Sequence, residues 1–228
     1  NLTPVVKNLI LLNILVFIAC LIYPNLTDIF AMHYPSSPDF KPWQIITHMF
    51  THANPNQIHP DDGRKHFEDI FHILLNMYAL FSFGALLENE RVLGSKRFAF
   101  LYLFSGLGAI AFHLAVSAFV VWNQTHGINL QPEMFISQHG IELANKGIEI
   151  SKSDVTDISL AGIYFSSLVG ASGAIYGLLA AFGYLFPNAP LMFMFLPVPI
   201  KAKYMIPMVI IFYDIAFAKY GGDNVAHT

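Results

Sequence analysis

The sequence predicts an all-α polytopic membrane helix bundle, and three observations carry that expectation. Of 228 residues, 55% are hydrophobic and only 12% are charged, with mean hydropathy +0.52; a water-soluble domain carries roughly twice that share of charge. Apolar runs recur along the chain at lengths near the ~20 residues that cross a hydrocarbon core. Polar, charged and proline-rich stretches are confined between those runs. The net charge of −3 gives no electrostatic reason to expect nucleic acid as a partner. The single cysteine, Cys20, excludes an internal disulfide and lies inside the first apolar run, where packing is its expected role.

The first span is expected over residues 8–23, extended by Val5 and Val6 and closed by Pro24, with Asn8 and Asn13 as interhelical hydrogen-bonding groups. It is not read as a signal peptide, because no small-residue cleavage site follows and further spans do; a start at Asn1 marks a trimmed or partial sequence. Residues 24–68 form a long first loop rich in Pro, Asp and His. Within it Trp43, Ile46, Met49 and Phe50 share one helical face while Gln44, Thr47, His48 and Thr51 share the other, the pattern of a short interfacial helix anchored by Trp43. A second span is expected over 69–87, with His72 and Asn76 one turn apart on one face near its start. A short charged loop with Arg91, Lys96 and Arg97 leads to a third span over 98–121, in which Ser105, Gly106 and Gly108 are small packing residues. Residues 122–158 turn polar without a strong period and read as an outward-facing loop. A fourth span over 168–186 and a fifth over 204–217 follow, and 220–228 resembles a turn leading into another helix.

The short loops hold Arg91, Lys96, Arg97, Lys201 and Lys203, whereas the long loops hold most of the acids, so the N-terminus is expected in the cytoplasm. The second and fourth spans then both run inward from the outer face. His72, Asn76 and Ser172 consequently fall in the outer half of the membrane, where one outward-opening cavity can hold all three.

Ser172, in Gly170-Ala171-Ser172-Gly173-Ala174-Ile175-Tyr176-Gly177, opens the fourth apolar run. Two readings of it are open. Gly173, Gly177 and Ala181 at i, i+4 and i+8 make a seam for close helix packing, in which Ser172 is one more small residue. Alternatively, Gly170 and Gly173 let backbone and substrate approach a nucleophilic Oγ, and the start of a helix offers N–H groups to an oxyanion.

The series His72-x-x-x-Asn76, Gly84-Ala85-Leu86-Leu87-Glu88, Gly94-Ser95-x-Arg97-Phe98 and Gly170-x-Ser172-Gly173-x-x-Tyr176, taken in order, resembles the rhomboid family of intramembrane serine proteases. The upstream Trp43-Gln44-x-x-Thr47-His48-x-x-x-His52 is similar to that family's first loop. The resemblance covers nearly the whole chain and implies one membrane domain over 1–228, a rhomboid-like six-span core whose sixth span is largely absent from this chain. It implies a Ser-His dyad: Ser172 attacks the scissile carbonyl, and a histidine of the sixth span moves the proton. That histidine is His227, in Ala226-His227-Thr228, or one beyond Thr228. The oxyanion would be held by the Ser172 N–H and the side chains of His72 and Asn76, Tyr176 would pack against the base, and Glu88 would be a structural carboxylate at a helix end. Two departures stand out: the family's Trp-Arg pair is Trp43-Gln44 here, which puts the loop's polar anchoring in question, and residues 53–68, with His59 and His66, are an insertion without an assigned role.

The expected activity is a serine endopeptidase acting on transmembrane segments of membrane proteins, with the lipid bilayer as its other partner and neither cofactor nor metal required. The competing expectation is a catalytically inactive rhomboid-like protein that binds transmembrane helices. A transporter would want repeated halves or paired mid-membrane charges, and Asp214 alone does not supply them. His48 and His52 stand at i, i+4, half of a metal site, but no third ligand completes it and hydrogen bonding within the first loop is the expected role. His113 is expected as an interior histidine, and Asn25-Leu26-Thr27 and Asn123-Gln124-Thr125 match the glycosylation pattern without a secretory context. The compact loop motifs point to a bacterial inner (cell) membrane.

Overall fold

The structure, a computed structural model, describes residues 2–52, 69–148, 152–193 and 196–208. Among them the elements are α1 (Pro4–Ile22), α2 (Asn25–Phe30), β1 (Met32–His33), α3 (Gln44–Thr47), α4 (Asp69–Ala79), α5 (Ala85–Leu87), α6 (Gly94–Thr125), α7 (Gln138–Asn145), α8 (Ile158–Phe165), β2 (Ser167–Leu168), α9 (Ser172–Leu185), β3 (Pro190–Phe193) and β4 (Leu196–Lys201). A π-helical turn, Leu80–Gly84, joins α4 to α5 without breaking the rod. Helix resumes over 202–208. Most of the expected fifth span and all of the sixth, with Asp214 and His227, lie outside the described residues, as does the insertion 53–68.

Among the described residues three helices are long and apolar enough to cross a membrane: Pro4–Ile22, Ile70–Leu87 and Gly94–Thr125. Large side chains on them stay exposed, such as Phe100, Phe104 and Phe112 on α6. In a soluble protein that pattern is a liability; in a bilayer it is the surface that lipid covers. The chain is an integral membrane protein built as a helical bundle.

The helix ends are tied by polar groups. Glu88, just past α5, is buried and receives the N–H groups of Val5 (2.9 Å) and Val6 (2.9 Å) and the Ser95 hydroxyl (2.7 Å). A carboxylate at the N-terminus of α1 satisfies donors that no turn of the helix can reach and complements the helix dipole. The Glu88 carboxyl therefore joins the starts of α1 and α6 to the end of the second span. Burial pushes its pKa up, but the hydrogen bonds from Val5, Val6 and Ser95 outweigh that and hold it below the usual carboxylate range.

Helices α6 and α9 meet along small residues. A Cβ on Gly173 would lie 2.5 Å from Ala109 Cβ, and one on Gly177 would overlap Ser105 Oγ. The small-residue seam read from the sequence thus has its counterpart on the third span, and it brings two backbones together where apolar burial alone gives no direction. The core behind it gathers Tyr102, Phe98, Leu178, Phe182 and Leu80.

Two short strands, β1 and β2, pair antiparallel with Met32 opposite Leu168 and His33 opposite Ser167. This pairing corrects the fourth span, expected from residue 168: the helix begins only at Ser172, because residues 167–168 are committed to the sheet and Gly170 turns the chain. The 14 residues of α9 measure about 21 Å, against a hydrocarbon core of about 30 Å. A helix that short does not cross the whole hydrocarbon core by itself.

The first loop is organised by Gln44. Its fully buried side chain accepts from the N–H of Lys41 (3.0 Å) and His33 (3.4 Å) and donates to Asp39 O (2.9 Å) and Ile29 O (3.4 Å). The polar anchoring that the Trp43-Gln44 departure put in question is therefore present, carried by an amide that can both donate and accept. The polar face read over 43–51 turns inward, with Gln44, His48 and Thr51 buried, while Trp43, Ile45 and Ile46 are exposed. Asn13 is buried and bonds Leu9 O of its own helix (2.8 Å) and His52 of the first loop (2.9 Å), where a bond between spanning helices was expected, and Asn8 is exposed.

The stretch read as the third loop carries structure of its own. The third span runs on to Thr125, α7 and α8 follow, and a second core forms from Tyr34, Val121, Leu130, Phe135, Leu160 and Tyr164. The Tyr34 hydroxyl donates to Ile128 O (2.9 Å) and the Leu130 N–H to Ser36 Oγ (2.9 Å), tying this module to the first loop.

Candidate active site

Ser172 is the first residue of α9 and is half-buried. The first intrahelical bond around it runs from Ile175 N to Ala171 O (2.9 Å). The N–H groups of Ser172, Gly173 and Ala174 precede that bond, so α9 itself cannot pair them. A hydroxyl thus sits beside backbone donors at the positive end of a helix dipole, a place suited to a developing oxyanion.

Gly170 defines the floor. Its φ of +122° is open to glycine and strained for other residues, and its N–H donates to His48 O (2.9 Å). A Cβ there would lie 2.9 Å from His72 Cε1, 3.2 Å from His72 Nε2 and 3.5 Å from Ser172 Oγ. Glycine there lets the His72 ring and the Ser172 hydroxyl come within 3.5 Å of one point. Gly170 is accordingly glycine for two reasons, conformation and room, whereas Gly173 is glycine for its packing on α6.

His72 comes from the first turn of α4 and Asn76 from the next. Asn76 is buried and donates from Nδ2 to His72 O (2.9 Å), which leaves the amide a second N–H. Tyr176, one turn beyond Ser172, is half-buried against the main core. The structure brings Gly170, Ser172 and His72 together, places Asn76 a turn below His72, and leaves His227 among the residues not described.

Behind His72 lies a layer that sequence reading did not assign to the site. The His52 ring meets the His72 ring edge to face, with centroids 5.3 Å apart, and meets Phe17 at 6.5 Å. Its Nε2 is 2.9 Å from Asn13 Oδ1, and the Asn13 amide nitrogen donates to Leu9 O (2.8 Å), so the oxygen is the acceptor and His52 carries its proton on Nε2. Burial, with the adjacent His72 as a lesser cause, pushes the His52 pKa down to about 3. His48 is held by Nδ1 against Gln44 O (2.8 Å), and burial lowers its pKa as well. The i, i+4 pair His48 and His52 therefore reaches two different partners, and among the described residues no cluster is arranged to hold a metal ion. The signal for this layer was Asn13, a buried amide in an apolar helix that needs a partner.

The structure thus sets a serine at the start of α9 beside a histidine of α4, in a polytopic apolar helical bundle. The Rhomboid domain profile matches residues 66–228, and the chain belongs to the rhomboid family. No curated protein matches the chain in a sequence comparison.

Proposed function

We propose that this protein is an intramembrane serine endopeptidase that cuts transmembrane segments near their outer ends. The observation that supports the reading above all others is the close approach at Gly170, where His72 Nε2 and Ser172 Oγ lie 3.2 Å and 3.5 Å from the point a Cβ would take. The Ser172 Oγ attacks the scissile carbonyl carbon while a histidine of the sixth span, His227 or one beyond Thr228, takes the hydroxyl proton. The carbonyl oxygen gains the charge, and the Ser172 N–H with the His72 and Asn76 side chains donates to it. Collapse of the tetrahedral species breaks the C–N bond, the histidine returns the proton to the leaving amine, and water then releases the acyl group by the same path. Tyr176 packs against the base, in the position an aspartate fills elsewhere.

Neutral donors suit this site because an ion is costly to hold below the membrane surface. His52 and His48, kept neutral by burial, add no charge beside His72. A substrate helix must unwind at the cut, since its carbonyls are otherwise paired, and small residues fit best beside Gly170. The basic short loops support a cytoplasmic N-terminus with the Ser172 end outward, and the proposed location is a bacterial cell membrane.

The test uses full-length protein in detergent with a fluorescent transmembrane peptide, comparing wild type, Ser172→Ala, His227→Ala and alanine at any histidine three residues on. Loss of cleavage in Ser172→Ala supports the protease, and the histidine whose removal also abolishes cleavage is the base. Peptide binding without cleavage by wild type identifies an inactive, helix-binding member of the family instead, and cleavage that survives Ser172→Ala ends the mechanism.

A further inference from the structure

We infer that α8 lies in the bilayer interface, with lipid acyl chains covering Ile158 and Phe165. On this helix Leu160, Ala161 and Tyr164 are buried in the second core, while Ile158 (75% exposed) and Phe165 (58% exposed) stand seven residues apart on an adjoining side. Phe165 rests one side of its ring on Phe135, centroids 5.8 Å apart, but most of it and of Ile158 stays uncovered among the described residues, an apolar stripe open to the surroundings.

The level of α8 along α6 names the occupant. Ile163 lines a small cavity together with His113, Leu114 and Ser117, and Leu160, Ala161 and Tyr164 cluster with Val121. Helix α6 leaves its charged end at Lys96 and Arg97, and about 20 residues from Phe98 cross a hydrocarbon core, which puts that boundary near Ser117. At the same level α6 turns Phe112, Val116 and Phe119 outward, and Trp122 follows one turn on, the place where indole rings mark the headgroup layer. The α8 helix is therefore beside the last membrane-embedded turns of α6, and its exposed stripe continues the lipid-facing surface.

The chain's charge pattern agrees. Asp157 caps α8, accepting from Leu160 N (3.0 Å), and no charged residue occurs between Asp157 and Lys201. In contrast α7 exposes Gln138, His139, Glu142 and Asn145, with Lys146 beyond it, a water-facing surface. Helix α8 enters from a polar N-terminus and descends toward β2, Gly170 and Ser172, so Phe165 lies deeper than Ile158. Lipid contact on this stripe holds the segment that delivers the serine.

The experiment places an environment-sensitive NBD label at Ile158→Cys, Phe165→Cys, Lys146→Cys and, as a lipid-facing control, Phe112→Cys, each in a Cys20→Ser background of the full-length protein. The protein is reconstituted in phosphatidylcholine vesicles with doxyl quenchers in the headgroup or at carbon 5 or 12 of the acyl chain. Labels at 158 and 165 are expected to be quenched at least about twofold more by 5-doxyl lipid than the label at 146, with 165 the more sensitive to the 12-doxyl lipid. With the Phe112 control quenched, parity between 158, 165 and 146 overturns the inference. So does a depth order with 158 below 165. Blue-shifted emission at 158 and 165 without lipid quenching assigns the stripe to a protein partner and overturns it too.

Discussion

His52 Nε2 donates to Asn13 Oδ1 across 2.9 Å, joining the first loop to the middle of α1. Both partners are fully buried, so neither has water as an alternative, and the bond sets the ring against which His72 rests. His52→Phe keeps the ring shape but leaves the Asn13 oxygen unpaired, at a cost of about 1–3 kcal/mol. In the cycle with Asn13→Leu the two changes are expected to couple by about 1 kcal/mol; additive effects in thermal unfolding would falsify the link.

The same histidine makes stability depend on pH. Its folded pKa of about 3 lies below the ~6.5 of an unfolded chain, so the folded state binds fewer protons. The contribution is full above pH 6.5 and is lost as pH falls through the interval toward 3. The unfolding midpoint of wild type should therefore drop between pH 6.5 and 4 more steeply than that of His52→Phe. Parallel curves for the two proteins sink the assignment.

Gly170→Ala is expected to abolish turnover without unfolding the bundle. The methyl meets His72 Cε1 at 2.9 Å and a φ of +122°, and strain of about 1–3 kcal/mol is relieved by moving His72 or the turn. Displacement at that scale should lower peptide cleavage about 100-fold, with a small loss of melting temperature. Cleavage within twofold of wild type contradicts the geometry assigned to the Gly170–His72 contact.

Glu88→Gln removes the charge on which Val5 N, Val6 N and Ser95 Oγ converge. Hydrogen bonds to a charged acceptor and its place at the start of α1 together make the loss about 2–3 kcal/mol. Because the folded pKa is lowered, the wild-type advantage is present above the unfolded carboxylate pKa and disappears as pH falls through the folded value. Melting curves of both proteins at neutral and acid pH should differ at the first and converge at the second.

Gln44→Met keeps volume and loses every polar contact. His33 N, Lys41 N and Asp39 O lose the side chain that pairs them, while Ile29 O keeps the Trp43 indole N–H (3.0 Å); with part of that loss relieved by water, destabilisation of about 2–4 kcal/mol is expected. Proteolysis of the reconstituted protein should first cut within residues 31–43. Wild-type protease resistance would show that the loop is held by something else.

What the sequence determined by itself was whatever depends on local pattern. Apolar runs with sparse charge required a helical membrane bundle, because no other backbone satisfies its own hydrogen bonds in lipid over that length. The spacing of Gly173 and Gly177 named a packing seam, and the ordered motifs around His72, Asn76 and Ser172 named the family. The tertiary structure alone decided which groups meet, such as Asn13 and His52, 39 residues apart, or Tyr34 and Ile128, 94 apart. Gly170 is fitted to His72 from another helix, Asn13 to His52, and Gln44 to backbone atoms of its own loop. Such pairings have no period to read, since a hydrogen bond depends on where two chain segments meet. The third loop shows the same limit: its buried residues form a core only with Tyr34 and Val121, and the apolar stripe of α8 acquires meaning from its depth beside α6.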